Sequence, residues 1–66
     1  MNPEINEFDI VVLLTDLSPI LKAGMRGAVV LVHDEQCGVY EVEFVDDAGQ
    51  TVGLATVTTQ QIQVLA

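Results

Sequence analysis

The chain reads as an all-β domain, a small five-stranded barrel with a short 3₁₀ turn before its last strand. Three observations predict this. Apolar or alternating runs recur at 10–14, 28–32, 40–44, 51–58 and 62–64, each of strand rather than helix length. Clusters of Asp, Gly, Gln and Pro separate them. Pro19, Gly24 and Gly27 break the one stretch otherwise long enough for a helix. Short strands with tight turns favour closure, because a barrel removes exposed edges.

Size and charge bound the rest. With 66 residues the chain is one domain, and so small a domain buries only about 60% of its unfolded surface. Half the residues are hydrophobic, which argues against disorder despite a net charge of −8. Ten acidic residues stand against Lys22 and Arg26, so nucleic acid is not an expected partner, since binding it rests on cations meeting phosphates. Anionic membrane surfaces are disfavoured for the same reason. The longest apolar run is far short of a membrane span, and no basic segment followed by an apolar core suggests a signal peptide. Cys37 is the lone cysteine, which rules out an internal disulfide and any cysteine-rich zinc site and fits a cytoplasmic setting.

In chain order, residues 1–7 read as a flexible N-terminal arm and residues 8–66 as the barrel, with Phe8 its first anchor. The first strand, 10–14, ends at Thr15, Asp16 and Ser18 before Pro19. Gly24 and Gly27 are expected to supply positive φ or close backbone approach. Strand 28–32 follows, then a turn through Asp34, Glu35, Gln36 and Gly38. Tyr40, Val42 and Phe44 share one face of the next strand, and Glu41 and Glu43 share the other. Asp46, Asp47 and Gly49 predict a type I hairpin turn closed by glycine. Gly53 within 51–58 suggests a bulge or a sharp bend. Period-two spacing places Val11, Leu13, Val30, Val32, Tyr40, Val42, Phe44, Leu54 and Ile62 inside.

Five pieces of this pattern carry a resemblance. They are Asp9-x-Val11-x-Leu13, Gly24-x-x-Gly27-x-Val29-Val30-x-Val32, Tyr40-Glu41-Val42-Glu43-Phe44, Asp46-x-x-Gly49 and Thr59-x-x-x-Ile62. From Phe8 to Val64 the chain resembles an uncharacterised, small, bacterial domain-of-unknown-function family. The resemblance implies an SH3-like barrel and a gene setting on mobile elements or beside toxin-like genes. More distantly, the glycine-framed loop is similar to KOW modules and to the barrel of nitrile hydratase β subunits. These motifs are structural rather than chemical, so they speak to fold more than to function.

Candidate chemical residues are few. His33 has acidic neighbours but no serine in a nucleophile context, so it reads as a solvated residue at a strand end. Asp34 and Glu35 would disfavour a Cys37 thiolate. Asp46, Asp47 and Gly49 lack the ligand spacing of a calcium loop. Glu41 and Glu43 read as a solvated strand face rather than an acid–base pair. Lys22 and Arg26 are expected to pair with acids. No catalytic residue, cofactor or metal is therefore expected.

The resulting expectation is a non-enzymatic protein–protein interaction module that forms a homo-oligomer, a dimer or dimer of dimers, and can take a second protein partner. The alternatives are a KOW-like nucleic-acid or ribosome-associated domain, or an accessory subunit of a larger enzyme. The interface is expected at Ile10, Val12, Leu14, Val29 and Leu31, the outward positions of two strands that lack polar alternation. Burying them would add stability that so small a core lacks. The competing expectation is that the N-terminal arm, or Leu17, Ile20 and Leu21, folds over this surface. The acids are expected to lie away from the patch.

Overall fold

A computed structural model describes residues 5–65; residues 1–4, part of the expected arm, lie outside the described residues. The strands are β1 (Ile10–Leu13), β2 (Arg26–Asp34), β3 (Val39–Val45), β4 (Thr51–Thr58) and β5 (Ile62–Val64). They form a single sheet in the order β4-β3-β2-β1-β5, and every neighbouring pair is antiparallel. The expected closed barrel is not formed. No ladder joins β4 to β5, and these two strands are the edges of the sheet. The connection explains this: β5 is only three residues long and its partner is β1. The 59–61 segment is a hydrogen-bonded turn, with the Gln61 N–H donating to the Thr58 carbonyl at 3.0 Å, in place of the expected 3₁₀ turn.

The core lies on one side of the sheet. Val11, Leu13, Tyr40, Val42, Phe44 and Ile62 are buried there, as their spacing predicts. Val30 and Leu54 are exposed instead, and Val32 is only half-buried. Val29, expected outside, is 0% exposed. A β-bulge accounts for the change. Val29 pairs with Val42 and Val32 with Tyr40, so Val30 is an extra residue in β2. One extra residue reverses which side chains face inward. In β4 the register steps from Gly53 opposite Phe44 to Thr51 opposite Val45. Val52 is therefore extra, and Leu54 falls opposite Glu43 on the outer face. Of the bulge or sharp bend expected at Gly53, the structure shows a bulge beside it.

Val57, Leu21 and Ile5 complete the core cluster. Ile5 is anchored there, so the expected free arm of residues 1–7 is held at this point. Phe8 does not anchor the fold through its ring, which is 74% exposed. Its backbone takes φ 70° at the third position of a turn in which the Asp9 N–H donates to the Asn6 carbonyl at 3.1 Å. Gly27 shows close approach: a Cβ there would meet Val42 Cγ1 at 2.6 Å and the Glu43 carbonyl oxygen at 2.7 Å. Gly24 adopts φ 93°, a left-handed conformation that a side chain would strain. The β3–β4 turn closes at Gly49 as predicted, and Asp46 Oδ1 accepts from the N–H groups of Ala48 and Gln50.

Candidate interaction face

Strand alternation builds the outer face. Residues directly opposite in an antiparallel pair project to the same side, so the register generates rows across the sheet. One row runs Ile10, Ala28, Glu43, Leu54. The next runs Leu31, Glu41, Thr56. Ile10, Leu31 and Leu54 are 48%, 46% and 60% exposed. Of the expected interface residues, Ile10, Leu14 and Leu31 are exposed, Val12 is half-buried and Val29 belongs to the core. Leu54 joins this face, and alternation alone missed it. Of the expected covering residues, Leu21 and Leu17 pack on the inner core and Ile20 is exposed.

The acids are not away from the patch. Glu41 and Glu43 sit within these rows, between Leu31 or Ala28 on one side and Thr56 or Leu54 on the other. Glu41 gathers a small polar network. His33 Nε2 lies 3.1 Å from Glu41 Oε2, and the Thr56 hydroxyl donates to the same oxygen at 3.3 Å. His33, Glu41 and Thr56 invite a comparison with a nucleophilic triad, but the order is wrong. In such a site the imidazole stands between hydroxyl and carboxylate and takes the hydroxyl proton. Here the carboxylate is central, so the hydroxyl has no base activated against it. The network orients side chains at a strand surface. No sequence spacing signals it, because two extra residues in β2, Val30 and His33 itself, set the β2–β3 register.

The remaining candidates resolve similarly. At the β2–β3 turn, Asp34 Oδ1 accepts from the Gln36 and Cys37 N–H groups, each at 3.1 Å. Hydrogen bonds from the Cys37 backbone and then its side chain hold the Asp34 carboxyl below its usual range. Reciprocally, the side-chain hydrogen bond to Asp34, and then that carboxylate's charge, push the Cys37 thiol up. The thiolate is disfavoured, as the acidic turn predicts. Lys22 pairs with Asp16 at 3.7 Å between exposed side chains, an arrangement worth about 0–1 kcal/mol at most. Lys22 and Arg26 also border an open cleft of about 710 Å³ whose other wall includes Asp46 and Asp47. The cleft therefore carries both signs of charge and does not form the cationic cradle a phosphate needs. No helix among the described residues is long and apolar enough to cross a membrane.

Fold and face together define a small all-β domain whose exposed chemistry is apolar side chains interleaved with carboxylates. The family pattern of DUF4926, a domain of unknown function, matches residues 7–64. The chain belongs to that family. No curated protein and no solved structure matches it.

Proposed function

We propose that this chain is a non-enzymatic protein–protein interaction domain that self-associates. The observation that carries the reading is the outer face, where Ile10, Leu31 and Leu54 lie exposed on adjoining rows of one sheet. Apolar side chains exposed together on one sheet face, here with Glu41 and Glu43 between them, are a surface that a protein contact can bury. The return of β5 to pair with β1 supports the SH3-like arrangement that the sequence resemblance implies. A cytoplasmic setting in a bacterium, and a second partner supplied by a neighbouring gene, belong to the same reading. The polar groups support a binding role over an enzymatic one, since Glu41 is tied up by His33 and Thr56 without activating either.

Sedimentation velocity at micromolar concentration tests the reading. The expected mass is a multiple of the 7.1 kDa chain, and Leu54→Lys should weaken association at least tenfold. A chain that stays monomeric at every concentration overturns it. DNA or RNA affinity that falls steeply with salt would replace it with a nucleic-acid-binding role.

A further inference from the structure

The outer edge of β4 is a run of strand backbone that no other strand among the described residues pairs with. Its hydrogen-bonding parity follows from two contacts. The Thr59 N–H donates to the Gly38 carbonyl at 3.0 Å, one step beyond the Val39–Thr58 pair. The ladder bonds to β3 therefore fall at Gly53, Ala55 and Val57. The Thr58 N–H, one position out of phase, turns away and donates to Gln61 Oε1 at 2.9 Å. By the same alternation the N–H and C=O groups of Leu54 and Thr56 also point away from β3, at an edge that no strand among the described residues covers. The ends of this edge are guarded, by the extra residue Val52 and by the Gln61 cap on Thr58. Between them nothing intervenes: β4 contains no charged residue and no proline, the usual devices that discourage edge pairing. The opposite edge, β5, is only three residues long.

We infer that two copies of this chain join edge to edge through β4, a proposal that rests on the self-association reading but places the joint at the border of the apolar face, beside Leu54, rather than on the face itself. The occupant is a second copy for reasons of symmetry and charge. An antiparallel edge is complementary to itself under a two-fold rotation. Placing the axis at Ala55 lets Leu54 of each copy exchange backbone hydrogen bonds with Thr56 of the other, and the small Ala55 side chains meet at the axis. Each chain carries a net charge of −8, so approach is least costly where charge is lowest, and β4 has none. Glu41 and Glu43 stand one strand behind the edge. Joined edges keep the two sets about three strand spacings apart, roughly 14 Å, beyond the ~8 Å screening length of physiological salt. Face-to-face stacking would instead point both sets into one interface. Edge pairing also packs Leu54 against Thr56 of the second copy and merges the two outer faces into one surface.

Amide hydrogen exchange on the unaltered protein, followed by NMR across a concentration series, reads the joint directly. In the dimer, the Leu54 and Thr56 amides should slow at least tenfold relative to dilute protein. The Ile62 and Val64 amides, on the free edge of β5, should not change. Thr56→Pro removes an N–H that the chain's own ladder does not use, so it should leave the circular dichroism unchanged and yield a monomer. Leu31→Lys should leave the dimer intact. A dimer whose Leu54 and Thr56 amides stay unprotected overturns edge pairing while self-association stands, as does dissociation by Leu31→Lys with Thr56→Pro still dimeric. A monomer at all concentrations removes both. If Thr56→Pro fails to fold, the exchange measurement decides alone.

Discussion

β2 and β3 lie side by side and share a ladder, yet one announces its faces and the other conceals them. In β3 every second residue is apolar and buried, and the glutamates between them mark the outer side. In β2 the run from Ala28 to Val32 is apolar throughout, so both registers are equally acceptable to the hydrophobic effect. The bulge at Val30 then decides, putting Val29 inside and both Val30 and Leu31 outside. A polar residue in a strand carries more information about register than an apolar one, because only the polar residue is excluded from one side.

The largest expected effect comes from the strand whose faces are clear. Phe44 is fully buried, and Phe44→Ala should cost about 3–5 kcal/mol, a large share of the stability of so small a domain. Thermal or urea melting should show a chain that is unfolded or nearly so at room temperature. A variant that melts like the parent would mean that β3 does not face the core.

The bulge supplies the next test, within the strand that conceals its register. Val29→Ala removes methyl groups from a fully buried site and should cost about 2 kcal/mol. Val30→Ala, one residue on and exposed, should stay within about 0.5 kcal/mol. Urea midpoints for the pair settle the parity: equal losses, or a larger loss at Val30, would place the bulge elsewhere.

Strand identity was legible almost throughout, since all five segments occur where their composition and bounding turns place them. The β3 side of the core and the Asp46 hairpin were legible as well, because each rests on local patterns. What could not be read was non-local. Leu54 is paired with Glu43 only because Val52 is extra, and β5 chooses β1 over β4 through a three-residue turn whose direction no propensity fixes. The candidate face suffered accordingly. Ile10, Leu14 and Leu31 are exposed as expected, Val29 lies in the core, and Leu54, expected inside, is exposed. Glu41 and Glu43 were recognised as an outward pair, but their place among the apolar residues depends on cross-strand register.

Gly27 sharpens the comparison by testing how tightly β2 and β3 are pressed together. A Cβ at Gly27 would meet a backbone carbonyl as well as Val42, and backbone cannot step aside as a side-chain tip can. Gly27→Ala should therefore cost about 1–3 kcal/mol by overpacking. At Gly24 nothing stands in the way of a side chain, and the cost there comes from φ 93° alone, about 1 kcal/mol for Gly24→Ala. Ala23→Ser, on the exposed neighbour, should be neutral. Melting curves in the order Ala23→Ser, Gly24→Ala, Gly27→Ala, from least to most destabilised, are expected; a Gly27→Ala variant as stable as the parent would mean that the two strands lie further apart.

The smallest effect lies in the turn that joins the two strands. Asp34 and Asp46 each open a turn and each accept backbone N–H groups through Oδ1, but only the Asp34 turn carries a thiol, whose ionisation the Asp34 carboxylate opposes. Its carboxyl is lowered by hydrogen bonds from Cys37, first from the backbone and then from the thiol. Its contribution to stability is therefore present above the unfolded carboxyl pKa and is lost as pH falls through the folded one. Cys37 is raised by the hydrogen bond to Asp34 and by its charge. Its contribution is present below the unfolded thiol pKa and is lost as pH rises through the folded one. Both groups are exposed, so melting barely reports them and thiol reactivity is the better measurement. Alkylation by iodoacetamide near pH 8 reads the thiolate fraction. The parent should react more slowly than a free cysteine, and Asp34→Asn should speed the reaction several-fold by removing the charge and the strong acceptor together. Asp46→Asn, at the turn without a thiol, should leave the rate unchanged. Equal rates for the parent and Asp34→Asn would show that the carboxylate does not hold the thiol, and that the two turns are alike in chemistry as well as in shape.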